Sequence, residues 1–211
     1  MTITDAHFWD LIHAERVRLV DMLEGLSDED WRARTLCSDW TVDQVVAHLT
    51  AGASTGTWAW IRSMAGAGFN ASRHNDRRLA RYRGATPAAT LEAFRRAATS
   101  TTAPTKDHAA WLGEVIVHGQ DIARPLGVPV TPDPVAVGEV ARFFAAKDFA
   151  VNSRGLVKGL ALEADDTSFR SGRGPLLRGH LLDLVMAMAG RPDSCAALDG
   201  DGVEELHRRL R

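Results

Sequence analysis

From residue 5 to residue 149 the apolar residues recur at helical intervals in one segment after another. Within residues 5–26, Phe8, Ile12, Leu19, Met22, Leu23 and Leu26 fall at such intervals with charges between them. A helix of this kind buries one stripe and needs partners to cover it, so several in succession predict packed helices. Ser27 in "SDEDW" caps a short helical turn, and "TLCSDW" reads as a connector. Thr41 with Gln44 has the form of a capping box, and Val42, Val45, Val46, Leu49 and Ala53 make a second stripe that runs on toward Ile61. The Gly-rich "MAGAGFN" ends that helix, and the basic run "SRHNDRRLARYR" over residues 72–83 reads as a connector or solvated face.

Thr86 as cap and Pro87 at the first helical position start a third helix in "TPAATLEAFRRAA". A fourth spans about 107–123, because Pro125 disfavours a helical Arg124 and Gly127 with Pro129 closes the segment. A fifth runs from about 134 to 149 on Val137, Val140, Ala141, Phe144 and Ala145. After Asn152 the texture changes. "GLVKGLALEADD" alternates apolar and polar residues and "SFRSGRGPLLRG" is turn-like, which predicts two or three strands. "HLLDLVMAMAGRP" returns to helical spacing with Gly190 and Pro192 as its stop, and "DGDGVEELHRRLR" is a last short helix. The expected organisation is a helical domain over 1–152 and a small α+β domain over 153–211.

Composition fits a folded, water-soluble chain: 211 residues, 45% hydrophobic and 25% charged. A net charge of −2 argues against a nucleic-acid partner, which needs clustered Lys and Arg to displace counterions. The start "TITDAHFWD" lacks the form of a signal peptide, and no window offers a membrane-length apolar run, so no membrane partner and a cytoplasmic location are expected. Cys37 and Cys195 are too few for a disulfide framework and lack metal-finger spacing; both are expected as reduced thiols, with Cys37 structural.

The fourth helix, "WLGEVIVHGQDIARPLG", carries Glu114 and His118 beside its apolar arc of Trp111, Val115, Ile122 and Leu126. Residues four apart differ by only about 40° around a helix, so the two side chains project together. His48 stands just off the Val42, Val46, Leu49 stripe. Packing of the second helix on the fourth would bring two imidazoles and a carboxylate together, the ligand set of an open zinc site. The competing reading makes each a hydrogen-bonded packing residue. Glu204 with His207 reads as a solvated pair, and Asp121 as a group that supports His118 or pairs with Arg124.

"CSDWTVDQVVAHL" followed far downstream by "WLGEVIVHGQDIARPLG" resembles the mycothiol-dependent maleylpyruvate isomerase family, within the DinB-like four-helix metalloprotein superfamily. The segment from "GLALEADDTSFRSGRG" to "LDGDGVEEL" resembles the small α+β domain that family members often append. The resemblance implies a mainly α fold, a DinB-like antiparallel four-helix bundle followed by that domain. It also implies one divalent metal, most often Zn2+, on His48, Glu114 and His118, and mycothiol as the thiol cosubstrate. The activity implied is cis–trans isomerisation of a small electrophile, or S-transfer to one, by a monomer or homodimer. An arginine ahead of the third helix would engage the substrate carboxylate; the candidates are Arg77 and Arg78, with Asn75 as a polar neighbour, and Arg78 is preferred. His74 is expected to be exposed. A non-catalytic metal- or ligand-binding protein and a metal-dependent hydrolase would use the same three ligands.

Overall fold

The computed structural model describes residues 4–37, 40–68, 70–149 and 151–211, apart from the side chains of 71 and 72. They form two compact units, Met1–Pro132 and Asp133–Arg211. The first holds α1 (Asp5–Glu24), a 3-10 turn Asp30–Arg32, α2 (Val42–Ala53), α3 (Thr57–Gly66), α4 (Ala71–Tyr82), α5 (Pro87–Ala97) and α6 (His108–Leu126). Helix α1 packs on α5 and α6, and α2 packs on the same two, closing a four-helix bundle. Its core gathers Leu19, Leu23, Val42, Val45, Val46, Phe94, Val115 and Ile122, largely the residues expected from the helical stripes. Full burial of a side chain of this size contributes about 1.5–3 kcal/mol. Arg16 is buried with them and donates to Ser100 O at 2.8 Å just past the end of α5; desolvation pulls its pKa down to about 10.

Two expectations on the bundle's flank are corrected. The second helix does not run on toward Ile61: it stops at Ala53, and Gly56 caps a separate α3 in which no residue is buried. The basic segment is not a connector but helix α4, which lies against α2. Its first turn is capped by Asn70, whose side chain accepts from Arg73 N–H at 2.9 Å. Inside α4, His74 and Leu79 are buried, so His74 is not exposed as the sequence suggested. The fourth helix also outlasts its expected end, for it runs to Leu126 with Pro125 inside. Proline removes the N–H that would bond Asp121 O, and Leu36 N–H takes that carbonyl instead at 3.1 Å. Gly127, at φ 65°, then closes the helix in the left-handed conformation.

The second unit starts earlier than residue 152, because α7 (Pro134–Ala146) belongs to it. That helix packs its buried stripe of Ala136, Val137, Val140, Ala141 and Phe144 on α9 (Leu181–Met188). Helix α9 is apolar on nearly all sides and is the buried centre of the unit. Helix α8 (Ser153–Val157), strands β1 (Ala161–Ala164), β2 (Arg170–Gly172) and β3 (Leu176–Gly179), a 3-10 turn Pro192–Ala197 and α10 (Val203–Arg209) complete it. The sheet order is β2-β1-β3, with β1 antiparallel to β2 and parallel to β3. Between β2 and β3 the backbone at Gly174 has φ 131°, and a Cβ there would fall 2.0 Å from Gly159 O. Only glycine fits that approach.

Candidate metal centre

The register of α2 is set at its first turn. Gln44 Oε1 accepts from the Thr41 backbone N–H at 2.9 Å and from the Thr41 hydroxyl at 3.2 Å. From that start the apolar stripe seats in the core and His48 emerges at its edge, over Glu114 and His118 of α6. Glu114 Oε2 lies 3.0 Å from His48 Nε2 and 3.4 Å from His118 Nε2. One ligand atom from each of the three lies within 4.8 Å of the others. The structure therefore brings together the three residues proposed from spacing.

The cluster is partly exposed. His48 and Glu114 side chains keep 26% and 24% of their exposure, whereas His118 keeps 9%. Trp40 walls the His48 side, its ring centroid 5.0 Å from the imidazole. Behind His118 stands Asp121, wholly buried, with Oδ2 2.9 Å from His118 Nδ1. A carboxylate on the far nitrogen of a ligating histidine fixes its orientation and raises its basicity. Asp121 thus occupies the supporting position that was one of its two expected roles.

The charges are mutually arranged. Burial alone would raise the Glu114 carboxyl, but hydrogen bonds from His118 and His48 outweigh it and hold the pKa well below the usual range. Burial alone would lower His118, but hydrogen bonding to Asp121, Cys37 and Glu114 raises it well above the ordinary value. A carboxylate thus stands next to a cationic imidazole in the metal-free chain. A divalent ion can replace the proton that now joins them. The donor set fits such an ion: two nitrogens and one oxygen leave the fourth position of a tetrahedral centre open.

Other predicted residues lie on α4. Arg78 Nη2 donates to Ala51 O and, at 2.7 Å, to Thr55 Oγ1, so its head is fixed at the end of the helix that carries His48. Arg77 turns instead to Gly66 O at 2.6 Å. Asn75 is half-buried on the same helix. His74 places Nδ1 3.0 Å from Ser63 Oγ and its ring edge-on to Trp60. Two residues near the centre were not read from sequence as parts of it: Trp40 and Cys37. Both sit on the segment that leads into α2, where Trp40 meets the His48 ring and Leu36 N–H bonds Asp121 O of α6.

A helical bundle presenting two histidines and a carboxylate around one open position defines a candidate mononuclear metal centre. Residues 12–111 match the family model described as the mycothiol maleylpyruvate isomerase N-terminal domain, a match that includes His48 and ends just ahead of Glu114. That match covers just under half of the chain and is a similarity to the family's N-terminal domain. Crystal structures of the mycothiol-dependent maleylpyruvate isomerase and of a histidine-to-alanine mutant of it share the fold. Each aligns with a TM-score of 0.64 at 18% identity, covering 95% of this chain and 96% of that chain. No curated protein sequence matches the chain significantly. No helix among the described residues is long and apolar enough to cross a membrane.

Proposed function

We propose that this chain is a metal-dependent enzyme that directs a low-molecular-weight thiol, mycothiol, at a small electrophile, as an isomerase or an S-transferase. The observation that carries the reading is the convergence of His48, Glu114 and His118 at a partly exposed position. When bound, a zinc-type ion supplies the electrostatic stabilisation that keeps a thiol as its nucleophilic thiolate at neutral pH.

The chain's own residues do the rest. His48, Glu114 and His118 would hold the ion, and Asp121 keeps the His118 ring in place from the buried side. The exposed edges of His48 and Glu114 mark the side from which thiol and substrate enter, with Trp40 as an apolar wall. Arg78 is assigned to an anionic group of the substrate, with Asn75 beside it on α4. One nitrogen of its guanidinium is anchored by Ala51 O and Thr55, and a guanidinium has further N–H donors for a carboxylate. A thiolate that adds to an activated double bond and leaves after rotation about the resulting single bond gives the cis–trans isomer. One that stays gives a conjugate. The similarity of residues 12–111 to the family's N-terminal domain and the supporting Asp121 favour this reading, since the same ligands in other proteins serve other chemistries.

The test is metal analysis of wild type, His48→Ala and Glu114→Ala, followed by mycothiol titration of the cobalt-loaded protein. About one ion per chain, lost in both variants, and a cobalt spectrum that shifts with the thiol are expected. Metal retained in both variants, or a spectrum indifferent to mycothiol, overturns the reading.

A further inference from the structure

The segment between the 3-10 turn and α2 is tied to α6 by a backbone bond and to itself by others, all independent of its cysteine sulfur. Leu36 N–H donates to Asp121 O at 3.1 Å, Cys37 N–H to Thr35 Oγ1 at 3.1 Å and Trp40 N–H to Cys37 O at 3.1 Å. Thr35 returns two bonds to Trp40 O, from its N–H and its hydroxyl, both at 3.0 Å. With the backbone pinned on both sides, the Cys37 side chain is held at the His118 ring, within hydrogen-bonding reach. Cys37, His118 and Asp121 each present a ligand atom within 4.8 Å of the other two. His118 and Asp121 are buried and Cys37 is half-buried, so little water competes for the space.

We infer that Cys37, His118 and Asp121 form a second cation position, thiolate-containing, which shares His118 with the His48, Glu114, His118 centre. Sulfur, nitrogen and a single carboxylate suit zinc-type thiophilic ions; magnesium and calcium take oxygen shells and are excluded by the sulfur. The two positions draw on opposite surroundings of one imidazole, Glu114 facing Nε2 and Asp121 facing Nδ1, and a cation in the second replaces the proton that otherwise joins Asp121 to Nδ1. Three protein donors leave room for a fourth ligand, as in other open centres. The inference does not depend on the thiol chemistry proposed above, because it requires neither His48 nor Glu114.

Cobalt titration of the metal-free full chain, in a non-thiol reductant and without any small thiol, tests it. Sulfur-to-cobalt charge-transfer absorption is expected in wild type, in His48→Ala and in Cys195→Ser, and is expected to vanish in Cys37→Ser. The weaker visible cobalt bands of the first centre should survive in Cys37→Ser, which separates loss of this position from loss of that one. Absence of charge transfer in wild type at excess cobalt overturns the inference, as does a band that persists in Cys37→Ser. If Cys37→Ser fails to fold, alkylation mapped by mass spectrometry decides: protection of Cys37 by added cobalt upholds the position, and undiminished labelling overturns it.

Discussion

At the scale of single residues, the centre is a competition between a proton and a cation for one imidazole. His118 is held protonated by Asp121, Cys37 and Glu114, while Glu114 stays ionised because both histidines donate to it. A cation bound beside Glu114 needs the lone pair of His118, so binding expels a proton. The sign follows from the direction of the shift: below the raised pKa the proton wins ground, and apparent zinc affinity should fall by about tenfold per pH unit for each proton displaced. Above it the affinity should level off. Competition with a chromophoric chelator across the neutral range measures this, and a flat profile would show that His118 is not the ligand being deprotonated. How far the centre was readable depends on the same residues. Glu114 and His118 share a helix face by spacing alone, and His48 borders a stripe, so the convergence of the three was visible in the chain. Cys37 was not, because its place beside His118 comes from Leu36 bonding a carbonyl that Pro125 left free.

At the scale of elements, the entrance of α2 decides where His48 points. Gln44 takes up the Thr41 N–H that would otherwise be unpaired in a partly buried helix start. Gln44→Ala should therefore lower stability by about 1 kcal/mol, seen as a reduced urea midpoint at unchanged slope. Because the core stripe of α2 still seats the helix, the variant should keep its metal. A variant as stable as wild type would mean that water satisfies the same donor. Helices with a buried stripe or a clear cap, α1, α2, α5 and α6, were legible for that physical reason. Two missed in the first unit, α3 and α4, lack it. Helix α3 buries no residue, and α4 is polar along most of its length, with Leu79 as the single large apolar residue buried among its described side chains. A helix whose contacts are made by His74, Arg78 and Arg77 looks like a solvated run in a sequence, because polar partners carry no periodicity.

At the scale of the whole molecule, the proposed ligands all fall within one of the two compact units, Met1–Pro132. The division precedes α7 rather than following it, since what a helix joins is decided by the apolar surface that covers it. The α7 stripe finds that surface on α9, whose own sequence is apolar nearly all round. The strands, by contrast, were recognisable from alternation and from glycines such as Gly174. Within the first unit, His48 comes from α2 and both Glu114 and His118 from α6, so a bound ion would link two helices far apart in sequence. A ligand that binds only the folded unit stabilises it by about 2.7 kcal/mol when its free concentration is about 100 times Kd. That gain should register as slower amide exchange in α2 and α6, because opening either helix releases the ion. Hydrogen exchange of the full chain with and without zinc would show it, with His118→Ala as the control in which zinc has no effect. Equal exchange in both helices with and without zinc would mean that the ion, if bound, does not bridge them, and the three side chains would then be read as a hydrogen-bonded cluster that holds α2 to α6.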